Sequence, residues 1–132
     1  MSTVTDSTPD AMTPDSMTPD SMTPDSMTPV CAVEAIPLEG GVAALVGGAA
    51  VAVFRTYDGS VFAIGNVDPF SGASVLSRGI VGNRGDAPVV SSPMYKQAFD
   101  LRTGQCLDDD SVRVPAYAVS VVDGVVHVGG VT

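Results

Sequence analysis

Gly65-Asn66-Val67-Asp68-Pro69-Phe70 and, further on, Ser91-Ser92-Pro93-Met94-Tyr95-Lys96-Gln97-Ala98-Phe99-Asp100-Leu101 are the two segments on which the reading of this chain turns. Each sets a polar, proline-bearing loop against an apolar run. Upstream, Ala49 to Tyr57 and Ser60 to Gly65 flank Asp58-Gly59, a hairpin signal because both turn positions tolerate positive φ. The second of those strands delivers the chain to Asn66. Before it, Ala32 to Pro37 and Val42 to Val46 read as opening strands, with Glu39-Gly40-Gly41 as their turn. Downstream, Gln97 to Leu101 reads as a strand running into Arg102-Thr103-Gly104. Ala116 to Val122 and Val125 to Val128 close the domain as a hairpin around Asp123-Gly124. No window carries a helical period, so the expected class is all-β, a small sandwich or partly open barrel.

The 132 residues have room for one domain, and a body of about a hundred residues buries roughly two thirds of its unfolded surface without a metal or disulfide staple. Residues 1–29 are set apart. Ser7-Thr8-Pro9-Asp10-Ala11 precedes Met-Thr-Pro-Asp-Ser copies beginning at Met12, Met17 and Met22, then a truncated Met27-Thr28-Pro29. A proline every five residues forbids a helix, and little in the segment is apolar, so a disordered tail is expected. Its aspartates lie roughly 15 Å apart in an extended chain, too far to share a calcium shell.

The formal charge of −9 argues against nucleic acid and anionic membranes, which are bound through clustered Lys and Arg. Cys31 and Cys106 fit neither a disulfide framework nor a zinc spacing. The N-terminus lacks the basic and apolar regions of a signal peptide. The uncharged run Gly40 to Phe54 is too short for a bilayer span. A cytoplasmic location is expected.

Asn66-Val67-Asp68-Pro69-Phe70-Ser71, Val75-Leu76-Ser77-Arg78-Gly79-Ile80-Val81-Gly82, and the run from Ser92 through Thr103-Gly104 to Cys106-Leu107 occur in one order. Together they closely resemble the small subunit of assimilatory NAD(P)H-dependent nitrite reductase, over nearly all of residues 31–129. That family has a Rieske-type domain. A Rieske centre holds its two-iron, two-sulfur cluster with two Cys and two His. At the positions that the resemblance assigns to those ligands stand Asn66, Asp68, Ser92 and Tyr95.

The resemblance implies a Rieske-like β sandwich or barrel over residues 30–132, with an inserted two-loop subdomain that lacks the cluster. It further implies a small, cofactor-free subunit without catalytic groups of its own. Such a subunit would dock on a large subunit whose FAD, iron-sulfur cluster and siroheme carry electrons from NAD(P)H to nitrite, yielding ammonium. Pro69, Phe70, Arg78, Met94, Tyr95 and Lys96 are the expected docking residues. A second reading is a cluster-free Rieske-like interaction or regulatory module for another partner, with the repeat taking part in binding.

The residues themselves point to little chemistry. One histidine, His127, and two separated cysteines cannot supply a cluster, and the lone carboxylate of Asp68 offers a hard cation little affinity, so no metal is expected. Ser92 has Lys96 four residues on, which is not Ser-x-x-Lys, and no His–carboxylate pair is evident. Gly79, Gly82 and Gly85 do not join a strand to a helix and read as turn residues rather than a phosphate cradle. Asn66, Asp68, Ser92 and Tyr95 either hydrogen-bond across the two loops in the cluster's stead or face solvent. Phe70 is expected inward and Met94 outward. Arg78, Arg84, Lys96 and Arg102 form either a solvated face or a docking rim.

Overall fold

The computed structural model describes residues 27–132, and among them no α-helix occurs. Nine strands form two antiparallel sheets. The larger uses β1 (Thr28–Ala32), β2 (Gly40–Val46), β3 (Ala49–Arg55), β4 (Val61–Gly65), β8 (Ala116–Val122) and β9 (Val125–Val131), in the order β1-β9-β8-β4-β3-β2. Its two outer strands, β1 and β2, approach each other, so the sheet curls toward a barrel. Between β4 and β8 the chain builds the second sheet, β5 (Ile80–Arg84), β6 (Ala87–Ser91) and β7 (Ala98–Asp100), in the order β5-β6-β7. This is the inserted subdomain, and the all-β expectation holds.

Strand β3 explains the layering. Its Val51, Ala52, Val53 and Phe54 are all fully buried, which is how a strand covered on both faces reads. Val51 and Val53 pack with Ile36, Ala63, Val126 and Val128 inside the curled sheet. Ala52 and Phe54 point the other way, toward Leu76, Val90, Phe99 and Leu101 of the insert. Each large side chain so buried contributes about 1.5–3 kcal/mol. The second core therefore clamps the insert onto the framework.

Three local features differ from the sequence-based expectation. The first strand ends at Ala32 rather than Pro37, because its partner β9 begins at Val125, opposite Ala32, and the turn before it supplies one further bond, Val33 N–H to the Gly124 carbonyl at 2.8 Å. The chain instead forms a 3-10 turn, Val33–Ala35, closed by Ile36 N–H on the Val33 carbonyl, and drops Ile36 into the core. The same strand starts at Thr28, inside the truncated repeat unit; the preceding repeat lies outside the described residues. Gly40 and Gly41 belong to β2 rather than to a turn. A Cβ on Gly41 would sit 2.7 Å from the Phe54 ring, so glycine there lets the aromatic lie against the backbone. Finally, Gly82 and Gly85 are not two turns of one loop: Gly82 is a strand residue, and only Gly85, at φ 63°, turns the β5–β6 hairpin with Asp86.

Candidate functional site: the two loops of the inserted subdomain

Strand β4 ends at Gly65 and hands the chain to Asn66, which is 3% exposed. Asn66 fixes the first loop to the framework. Its N–H donates to the Ala50 carbonyl at 3.0 Å, its carbonyl accepts from Leu76 N–H at 3.0 Å, and its Oδ1 accepts from Ser77 N–H at 2.7 Å. Asp68, with no exposed surface, closes the loop on itself. Its N–H donates to the Ala73 carbonyl, its carbonyl accepts from Gly72 N–H, and its Oδ1 accepts from Phe70 N–H at 2.8 Å.

The second loop is built on Ser92, 1% exposed. Its N–H donates to the Gln97 carbonyl and its carbonyl accepts from Lys96 N–H, both at 2.9 Å, so residues 93–96 form a closed turn. Lys96 takes φ 66° within it, a left-handed conformation that costs a non-glycine residue about 1–2 kcal/mol. Ser92 Oγ accepts from Met94 N–H at 3.2 Å and donates to Asp68 Oδ2 at 2.5 Å. That last bond joins two loops 24 residues apart. It is sheltered from water, a circumstance in which a hydrogen bond is electrostatically stronger.

Of the four polar positions, then, Asp68 and Ser92 meet, Asn66 is buried but holds its own loop, and Tyr95 takes no part. Tyr95 is 59% exposed, and its hydroxyl makes no hydrogen bond with the described residues. The reason is the turn closure: bonds at Ser92, Lys96 and Gln97 leave residues 94 and 95 at the apex, pointing out. Met94 is likewise exposed. Phe70 is half-buried against the core, its ring 6.3 Å from that of Phe99. Pro69, Pro93, Arg78 and Lys96 are exposed.

Beside the second loop lies an open groove of about 530 Å³ lined by Arg78, Ile80, Ser91, Ser92, Pro93 and Lys96. Two expected docking residues, Arg78 and Lys96, thus share one concave surface, whereas Pro69, Phe70, Met94 and Tyr95 do not line it. Sequence reasoning missed Ile80, which is 77% exposed at the edge of β5; an isolated isoleucine after a glycine gives no signal of that. It also missed Asp108, whose carboxylate accepts from Ala98 N–H at 2.8 Å and from Arg84 at 3.0 Å, bracing both edges of the small sheet. Those two donors hold its carboxyl below the ordinary carboxylate range.

The geometry defines a class first: a two-loop insert on a curled β framework of the Rieske type, its loops joined by a serine–aspartate hydrogen bond. The donor set does not fit a two-iron, two-sulfur cluster. Neither loop offers a thiolate or an imidazole; Cys31 and Cys106 lie elsewhere, and His127 is in β9. Among the described residues no group of three His, Cys, Asp or Glu could hold a metal ion, and no helix is long and apolar enough to cross a membrane.

The model of the Rieske-like [2Fe-2S] domain family matches residues 26–129. The NADH nitrite reductase small subunit of Escherichia coli K12 is 44% identical over 102 residues, 76% of this chain and 94% of that one. A crystal structure described as an NADH-dependent nitrite reductase small subunit of Mycobacterium tuberculosis superposes with a TM-score of 0.77 at 51% identity, covering 80% of this chain and 96% of that one. The NAD(P)H nitrite reductase large subunit of Klebsiella oxytoca is 43% identical over 100 residues, 76% of this chain but 10% of that one. The chain belongs to the nitrite reductase small-subunit family of Rieske-like domains.

Proposed function

We propose that this chain is the cofactor-free small subunit of an NAD(P)H-dependent nitrite reductase, and that it works by docking on the large subunit. One observation carries the reading: the same domain, at 43% identity, lies within the large-subunit chain of K. oxytoca. A module that occurs as a separate subunit in one organism and inside the large polypeptide in another is suited to sitting against that polypeptide. The family resemblance gives the large subunit its FAD, iron-sulfur cluster and siroheme. With no redox centre of its own, the small subunit orders the large one or completes its assembly rather than relaying electrons. The exposed apex Met94-Tyr95 and the cationic groove beside it supply an apolar contact with a charged rim, the composition of a protein interface.

The test mixes the purified full chain with the large subunit from the same organism. Co-elution and a gain in NADH-driven nitrite reduction are expected. Met94→Ala with Tyr95→Ala should weaken the complex by more than about tenfold without moving the thermal midpoint. Absence of co-elution together with an unchanged rate overturns the reading.

A further inference from the structure

The chain has six cationic side chains. Four of them are engaged by the protein itself. Arg55 donates to the Ile36 carbonyl, Arg84 to Asp108, Arg102 to Asp100 and Arg113 to the Thr103 carbonyl. Arg78 and Lys96 make no side-chain hydrogen bond or ion pair with the described residues, and these two line the same groove. Residues 30–132 are themselves net acidic, with ten carboxylates against six cations, so the groove is a positive depression in a negative surface. Such a site selects an anionic occupant.

An anionic segment is present in the same chain. Residues 1–26 carry Asp6, Asp10, Asp15, Asp20 and Asp25 and no base, and four of these aspartates follow a proline at a fixed five-residue spacing. The segment has no counterpart in the E. coli relative, since 102 matched residues take up 94% of that protein, and the family match itself begins at residue 26. The E. coli subunit therefore does without it, as expected of a modulator and not of a structural part. Reach is no obstacle. Twenty-six residues at about 3.1 Å each span about 80 Å, against a body about 35 Å across for a radius of gyration near 13 Å.

We infer that the Pro-Asp repeat of residues 9–25 occupies the Arg78–Lys96 groove of its own chain and competes there with the docking partner. Because the repeat is tethered, its effective concentration is on the order of 1 mM, so a contact of millimolar strength suffices. Four equivalent Pro-Asp units multiply the occupancy, and docking is weakened about two- to fivefold. The competition rests on the docking function proposed above; the contact itself does not.

Lys96 is the only lysine in the sequence, which makes the contact directly readable. The full chain is treated with a water-soluble carbodiimide, which joins amine to carboxylate at zero length, and the monomer fraction is mapped by mass spectrometry. The expected product is an amide from Lys96 Nζ to a repeat aspartate, falling at least about fivefold at about 1 M salt, where the screening length is only about 3 Å. Lys96 joined only to carboxylates of the body, joined only in covalent dimers, or left unmodified overturns the contact. A full chain with Asp6 and the four Pro-Asp aspartates all changed to asparagine should then bind the large subunit about two- to fivefold tighter. Equal affinity with the cross-link present overturns the competition. Failure of both forms to bind overturns the docking function and leaves the contact standing on the cross-link alone.

Discussion

Ser92→Ala in the full chain removes a single oxygen, and its effect can be worked from the geometry. Two bonds go. Met94 N–H, in an exposed turn, finds water instead, at a cost of about 0.5 kcal/mol. Asp68 Oδ2 has no such recourse, since the residue has no exposed surface. Leaving a buried acceptor without its partner costs about 1–3 kcal/mol, so the sum is about 1.5–3.5 kcal/mol. For a body of about a hundred residues each kcal/mol moves the thermal midpoint by about 4–8 °C, giving a fall of roughly 6–28 °C. Urea and thermal unfolding of the variant measure this directly. Tyr95→Phe serves as the control and should stay within about 0.5 kcal/mol, as exposed substitutions do. In a double-mutant cycle Ser92→Ala and Asp68→Ala should couple by about 1.5 kcal/mol or more. A cost under about 1 kcal/mol for Ser92→Ala, or additive single changes, would refute the claim that this bond joins the loops.

Gly79→Ala should be among the most damaging single-methyl additions in the insert. The new Cβ would fall on the Ser91 carbonyl oxygen and 2.7 Å from Val90 Cγ2. A backbone oxygen cannot swing aside, so β5 must shift and overpacking of about 1–3 kcal/mol follows; an unchanged urea midpoint would count against the close approach. Asp100 supplies a pH dependence. Its hydrogen bonds from Arg102 hold the buried carboxyl below the ordinary value. The associated stability is therefore complete above the unfolded pKa of about 3.9 and is lost as pH falls through the lower folded value. Asp100→Asn should lower stability near neutrality and flatten the acid limb below about pH 4, and parallel stability curves for the two proteins would sink this assignment.

What was legible in the sequence is what depends on neighbouring residues. Asp58-Gly59 and Asp123-Gly124 announced their hairpins because turn chemistry is local: Asp58 Oδ1 accepts from Thr56 Oγ1 and Ser60 N–H, while Asp123 and Gly124 both take positive φ. The β5–β6 hairpin was not legible. Gly82 and Pro88 lie inside its strands, and both residue types normally argue against a strand. Packing of Val81 and Val90 on the second core overrides that preference. The end of β1 was set by the length of its partner strand, which no window around Ala32 contains. At the site, the resemblance indicated which four polar residues mattered. It could not say which would touch, because Tyr95 is turned outward by backbone bonds at Ser92 and Gln97 rather than by its own character.

The serine–aspartate bond also has a consequence for biogenesis. Its atoms arrive with the polypeptide, so the insert reaches its finished shape as soon as the chain folds, with no step in which a scaffold protein must deliver iron and sulfide. Neither loop carries a thiolate or an imidazole from which oxidants could strip a cluster.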